Sequence, residues 1–522
     1  MTLPSDNSRL FLRGALILTI AATIIKILSA VYRVPFQNIV GDTGFYIYQQ
    51  VYPIYGIAIA LATYGFPVII SKMVADAKKV NASDAHSIAF AAFIILGFIG
   101  IILFSFFYFG SHIIAHWMGD RRLVPLIKVV AVPFLIMPLI STIRGYFQGK
   151  REMLPTAVSQ VVEQFIRVIC ILLLSYVLVR NGASLYQVGR SAFISSVVGS
   201  LLAAAILLFF YFRHKEEASL QLGQAFKFIG KKFIFQGIAV CISGALLVLL
   251  QLIDSLNLYS LLTSTGISSE KAKVLKGIYD RGQPFIQLGT VVATSFSLTL
   301  VPELSSTLHG QKKNIEEKIQ LALKVSVVFG LGATIGLISI MEPTNTMLFS
   351  NQAGSNVLKV FSISIFFSSM ILTINGILQG LGDLLSSAKF IIIGMIIKVL
   401  GNYLLIPQIG TMGASVSTII ALFFILLLSI YKIKRGGIHL NFRRFFIRLL
   451  VSAGVMAFIL QIWTYVFDYF HLTNRIWSLF ESLGGVCLGG FCYLYLIGYF
   501  KLFREDEVKE IPFGKFLLHK KK

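Results

Sequence analysis

Cations stand in this sequence at positions where hydrocarbon would exclude them. Lys26 and Arg33 lie two helical turns apart in the apolar run 10–33, with Thr19, Thr23, Ser29 and Ala30 near the same stripe. In the run 279–302, Gln283, Gln287, Thr290, Thr294 and Ser297 recur at helical spacing behind Asp280 and Arg281. The run 158–179 carries Gln160, Glu163 and Arg167 on one face, where Glu163 and Arg167 are spaced to pair at i, i+4. Gln251, Asp254 and Asn257 close the run 233–256. Charge at bilayer depth costs about 3 kcal/mol or more, so such residues face a protein interior or a watery cavity. A wall of Lys26, Arg33 and Arg281, with Asp280 and Gln287 beside it and few acids to neutralise it, suits a phosphate or diphosphate. Arginine grips such a group through two parallel hydrogen bonds. Plainer readings compete: Arg33 snorkelling to the interface, Arg281 paired with Asp280, Glu163 with Arg167 as a structural pair, and Lys128 and Lys324 snorkelling near span ends.

The elements that position these residues follow from composition. Of 522 residues, 56% are hydrophobic and 13% charged, and mean hydropathy is +0.81. A soluble chain carries about a quarter charged residues, so lipid is the expected solvent. A span takes roughly 20 apolar residues. The sequence predicts about fourteen: 10–33, 46–71, 87–110, 123–147, 158–179, 187–212, 233–256, 279–302, 319–341, 356–381, 386–406, 411–431, 445–467 and 476–500. The first contains Lys26 and lacks a small-residue cleavage site, and reads as a span and not a signal peptide. Placing the N-terminus inside puts most of the 46 basic residues in cytoplasmic segments, among them Lys78, Lys79, Lys150, Arg151, Lys231, Lys232 and the tail Lys520–Lys522. An even span count then places the C-terminus inside as well. The net charge of +23 reads as topology and attraction to anionic lipid; basic residues scattered through short loops do not suit nucleic acid. Cys170, Cys241, Cys487 and Cys492 all fall in apolar runs, read as small core hydrophobes without metal or disulfide spacing. Pro53, Gly56, Gly65, Pro67, Pro133 and Pro138 are candidate bending points.

Two stretches repeat at an offset of 231 residues. Ser141-Thr-Ile-Arg-Gly-Tyr-Phe-Gln-Gly149 precedes Met153-Leu154 and Arg167; Leu372-Thr-Ile-Asn-Gly-Ile-Leu-Gln-Gly380 precedes Leu384-Leu385 and Lys398. The repeat unit is six spans, which keeps its orientation and suits two lobes rocking about a central site. The chain therefore divides into an N-terminal lobe 1–215, a cytoplasmic linker 216–232, a C-terminal lobe 233–435 and a final pair of spans with a basic tail, 436–522. The expected fold is an all-α membrane protein: two pseudo-symmetric six-helix lobes plus two helices.

The run Lys26-Ile-Leu-Ser-Ala-Val-Tyr-Arg-Val-Pro-Phe-Gln-Asn-Ile-Val-Gly-Asp42, then Tyr48-Gln49-Gln50, Tyr52-Pro53 and Gly65-x-Pro67-x-x-x-Ser71-Lys72, resembles the SpoVB/YtgP-type polysaccharide-biosynthesis proteins. These are relatives of the MurJ lipid II flippases in the MOP (multidrug/oligosaccharidyl-lipid/polysaccharide) exporter superfamily. Tyr279-Asp280-Arg281 with Val301-Pro302-Glu303-Leu304-Ser305 is similar to their eighth-span signature. The resemblance implies outward flipping of an undecaprenyl-diphosphate-linked sugar lipid by a monomeric carrier in the plasma membrane. It implies no cofactor, a coupling ion or the membrane potential as energy source, Arg33 and Arg281 in the central cavity, and a final span pair that forms a groove for the polyprenyl tail. Gram-negative relatives place an acid and an arginine in span two; here 43–71 holds no charge, and Tyr46, Gln49, Gln50, Tyr52 and Tyr55 supply its polarity. Gln49, Glu163, Arg167 and Lys398 make a secondary set, in a cavity or as structural pairs. A cation-coupled exporter of the MATE kind would want embedded acids, which the cations outnumber. A membrane glycosyltransferase or acyltransferase would want a His or carboxylate pair on a large outer loop, and the stretch 257–278 offers Glu270 among lysines.

Overall fold

The computed structural model describes residues 6–80, 85–214, 222–291, 312–438, 443–471, 474–504 and 507–508. Every regular element among them is helical, as a backbone in lipid requires, since a helix satisfies its N–H and C=O groups within one segment. In the first half these are α1 (Asp6–Val31), α2 (Arg33–Ala60), α3 (Phe66–Val80), α4 (Ala85–Phe109), α5 (Ser111–Trp117), α6 (Val124–Ala131), α7 (Pro133–Gly149), α8 (Leu154–Arg180) and α9 (Leu185–Arg213). In the second they are α10 (Leu222–Gly244), α11 (Leu246–Ser264), α12 (Ser269–Asp280), α13 (Gly282–Gly289), α14 (Lys312–Ser339), α15 (Met341–Phe349), α16 (Ser355–Gly380), α17 (Leu384–Ile409), α18 (Thr411–Arg435), α19 (Arg443–Tyr469) and α20 (Arg475–Tyr499).

Twelve stretches among the described residues are long and apolar enough to cross a membrane. The first, Ile20–Asp76, runs 57 residues, about 85 Å of helix against roughly 30 Å of hydrocarbon. It is broken at Gly41, whose φ of 68° and ψ of −179° belong to a region only glycine occupies comfortably. The expected span 279–302 is described only as far as 291, so Thr294, Ser297 and the stretch 301–305 lie outside the described residues. Pro35 has no N–H to offer the Val31 carbonyl, which marks the junction of α1 and α2. The path stays helical through it, because Tyr32 N–H bonds the Leu28 carbonyl and Phe36 N–H the Tyr32 carbonyl. Pro133 likewise starts α7, whereas Pro53 and Pro138 are carried inside continuous helices. One π turn, Leu61–Gly65, separates α2 from α3. Large side chains such as Phe98 and Phe491 stand exposed on α4 and α20, facing what lipid would cover.

The offset of 231 reappears in backbone geometry. Gly119 and Ser350 both take positive φ, 78° and 66°. The residue after each, Asp120 and Asn351, accepts from the N–H two positions on, Arg122 and Ala353, at 3.1 Å in both cases. Helices α7 and α16 end on Gly149 and Gly380, and two residues later Arg151 and Gly382 have φ of 67° and 83°. Packing divides the chain elsewhere. One compact unit is Met1–Asp280 with Asp383–Gly410; the other is Arg281–Gly382 with Thr411–Lys522. Helices α10, α11, α12 and α17, assigned by the repeat to the second lobe, thus pack in the first unit. In the second unit α19 and α20 approach through Gly484, where a Cβ would come within 2.6 Å of the Trp463 indole, and Gly489 against Leu460. These glycines serve close helix contact.

A buried arginine pair on a tyrosine stripe and a buried ion-pair network

In the first unit, Tyr48, Tyr52 and Tyr55 follow helical spacing along one stripe of α2. Their rings step along it, with centroids 5.7 Å apart for Tyr48 and Tyr52 and 6.2 Å for Tyr52 and Tyr55. Tyr48 stacks on Phe193 of α9 and shares a 2.8 Å hydrogen bond with the Tyr32 hydroxyl. Two arginines rest on this stripe. The Arg33 guanidinium carbon lies 4.4 Å from the Tyr52 ring centre. Arg33 is 0% exposed, and its three guanidinium nitrogens meet no acceptor in hydrogen-bonding geometry among the described residues. Arg167 of α8 donates through Nη1 to the Tyr55 hydroxyl at 3.2 Å and lies over the Tyr55 and Tyr32 rings, while its Nε has no partner. Gln49 is buried with both amide atoms unpartnered. A π face returns about 2 kcal/mol to a desolvated cation, less than the several kcal/mol its desolvation costs. Guanidinium groups held on rings and a phenol hydroxyl keep their positive field, which suits a phosphate-class anion.

Several expected pairings are replaced. Glu163 does not bond Arg167: it takes Arg144 of α7 at 2.9 Å and the Ser200 hydroxyl at 3.1 Å. The i, i+4 spacing permits the pair, but Arg144 reaches across the helix contact and the Arg167 side chain turns to the α2 tyrosines. Asp280 does not bond Arg281 either. Both its oxygens accept from Lys276, one turn back in α12, at 2.7 Å. Arg281, the first residue of the second unit, donates through Nη1 to Asn345 and Asn351 at 3.2 and 2.8 Å beside Phe349. Arg33 is wholly buried and does not snorkel; Lys26 is half-buried; Gln287 is half-buried with its Oε1 unpartnered. Lys324 bonds Glu507 at 2.6 Å, where snorkelling was expected. Of the cysteines, Cys241 is buried and Cys487 exposed.

Lys398, matched to Arg167 in the repeat, has the opposite surroundings. Its Nζ lies 2.7 Å from Asp254 Oδ1 of α11, both groups buried. Asn402 Nδ2 donates to the same oxygen at 2.9 Å, and Tyr279 donates to Oδ2 at 2.8 Å. The stretch expected as an outer loop is helical up to Ser264 and again from Ser269, and packing of α12 on α2 buries Lys276. The i, i+4 spacing of Lys276 and Asp280 was the legible signal for that pair. No sequence signal joins Asp254 to Lys398.

Residues 11–308 match the family model described as polysaccharide biosynthesis protein. The chain belongs to this family. Across 97% of its length it is 44% identical to the uncharacterized membrane protein YabM of Bacillus subtilis, covering 95% of that protein. It is 26% identical to the lipid II flippase MurJ of the same organism, over 93% of this chain and 94% of that one. It is 24% identical to the stage V sporulation protein B of that organism, over 96% and 98%. Among solved structures, a lipid II flippase MurJ in an inward closed conformation aligns with a TM-score of 0.64 at 17% identity, over 93% of this chain and 99% of that one. An inward-facing MATE family multidrug resistance transporter of the MOP superfamily aligns at 0.63 and 14%, over 81% and 98%. This member of the family is a multi-pass membrane protein with the MOP superfamily fold.

Proposed function

We propose that the protein is a flippase. Its cargo is an undecaprenyl-diphosphate-linked oligosaccharide, lipid II or a related cell-wall precursor, carried from the inner to the outer leaflet by alternating access. The observation that carries this reading is Arg33: a buried guanidinium resting on tyrosines with no carboxylate paired to it among the described residues. Such a group binds a diphosphate through paired charge-assisted hydrogen bonds, and similarity to a lipid II flippase supplies the class of cargo. Arg167 and Gln49 serve the same anion, Lys26 and Arg281 act along its route, and the polyprenyl tail stays in lipid. Both termini are cytoplasmic. The rival is export of a cationic drug, as the shared MATE fold allows; buried arginines oppose a cationic cargo.

Purified protein in vesicles is to be tested for flipping of lipid II and of another undecaprenyl-diphosphate sugar. The expected outcome is movement of at least one of them. Export of cationic dyes with neither lipid moved would overturn the reading.

A further inference from the structure

The first unit contains a second charged assembly, distinct in character from the arginine pair. Lys398–Asp254 and Lys276–Asp280 are two ion pairs whose four groups are at most 2% exposed. They draw on three helices: α11 gives Asp254 and Asn257, α12 gives Lys276, Tyr279 and Asp280, and α17 gives Lys398 and Asn402. The two pairs meet at Tyr279, whose ring centre lies 5.7 Å from Lys276 Nζ. Tyr279 donates to Asp254, and Asn402 donates to both Asp254 and Asn257. A charged group from a further helix, Arg33 of α2, lies close enough to act on Asp280.

The positions of these pairs in the chain give them a use. Helix α17 packs in the first unit, yet the chain before it and after it belongs to the second. It is bounded by Gly382 and Gly410, with φ of 83° and 59°. Asp280 is likewise the last residue before the chain passes from the first unit to the second. The Lys276–Asp280 pair ends at one crossing, and Lys398 stands in the middle of α17, the helix that lies between the other two crossings.

We propose that the Asp254–Lys398 pair is a proton-carrying joint, which couples movement of α17 to the passage of protons across the membrane. If α17 draws away from α11 as an ion pair, two bare charges are left in a low-dielectric interior, each costing several kcal/mol. Transfer of one proton avoids this. An Nζ–H bond of Lys398 breaks, an O–H bond forms on Asp254 Oδ1, and a neutral amine and a neutral carboxylic acid part. The acid then releases its proton to water on one face and the amine takes one from water on the other, so one proton crosses per cycle. Lysine is suited to this step, whereas an arginine keeps its proton throughout. Both carboxylates already hold an ammonium, so a metal ion would have to displace a lysine to enter. The matched position in the other lobe carries Arg167, which cannot take part in such a transfer.

The test does not use the cargo, so its outcome is independent of the flippase reading. Wild type, Lys398→Arg and the double variant Asp254→Asn/Lys398→Met are placed in lipid nanodiscs and warmed at constant pH, because transfer within the pair takes up no proton. Infrared difference spectra follow the carboxylic acid C=O band, and hydrogen exchange follows α17. In wild type the band appears together with faster exchange in α17, and the double variant lacks the band. Lys398→Arg melts at the wild-type temperature but shows neither the band nor the faster exchange. The proposal is overturned if α17 opens in Lys398→Arg as it does in wild type, or if α17 opens in wild type with Asp254 still ionised.

Discussion

Arg167 and Lys398 occupy the same place in the two halves of the repeat, and their surroundings differ. Arg167 lies over tyrosine rings with one phenol hydroxyl as hydrogen-bond partner. Lys398 is closed on a carboxylate at 2.7 Å. One site keeps a positive field that an anion can use; the other is neutral as a pair and stores its charge. The corners at Asp120 and Asn351 differ in the same manner. Their turns match, but Asp120 accepts from the hydroxyls of Tyr46 and Tyr186 and Asn351 accepts from Arg281. Backbone geometry is shared at the offset of 231, and the side chains set on it differ in chemistry.

The largest effect is expected at the arginine pair. Arg33→Ala should lower flipping in vesicles by at least about tenfold, the equivalent of about 1.4 kcal/mol, with insertion intact and thermal stability unchanged or raised, since no carboxylate is stranded. Unchanged flipping would remove the anion side of the comparison. Lys398→Ala should cost about 3–5 kcal/mol in thermal unfolding because it leaves Asp254 buried and unpaired. Arg167→Met should cost less than about 2 kcal/mol, because the groups it leaves are phenols. Equal losses for these two would end the contrast. Gly277→Ala should lower stability by about 1–3 kcal/mol, because a Cβ there falls 2.1 Å from the Asp42 carbonyl oxygen and forces α12 off α2. The smallest effect sharpens the repeat itself. Gly382→Ala should cost about 1 kcal/mol, and Arg151→Gly should be neutral within about 1 kcal/mol, since both positions hold positive φ and the first already has the residue suited to it. Melting curves of the two variants decide this.

Much of the scaffold was legible. Apolar runs of span length gave the helices, because lipid admits helical segments and rejects polar loops. The shared Gln-Gly termini gave the offset of 231, which reappears in the turns at 119/350 and 151/382. Buried cations at Arg33, Arg167 and Lys398 were found from their depth alone. Their partners were not. Helical spacing offered Glu163 to Arg167 and adjacency offered Asp280 to Arg281, and both pairings lost to neighbours that the sequence does not place.

The sequence by itself determined that this chain spans a membrane, that one motif recurs in it at an offset of 231 residues, and that certain cations must sit in a protein interior, since composition, periodicity and the cost of charge in hydrocarbon are properties of the chain. Tertiary structure alone decided which of those cations meet a carboxylate. Arg144 reaches Glu163 and Lys398 reaches Asp254 only once α7 lies on α8 and α17 on α11, because an ion pair depends on a distance of a few ångströms between residues far apart in sequence.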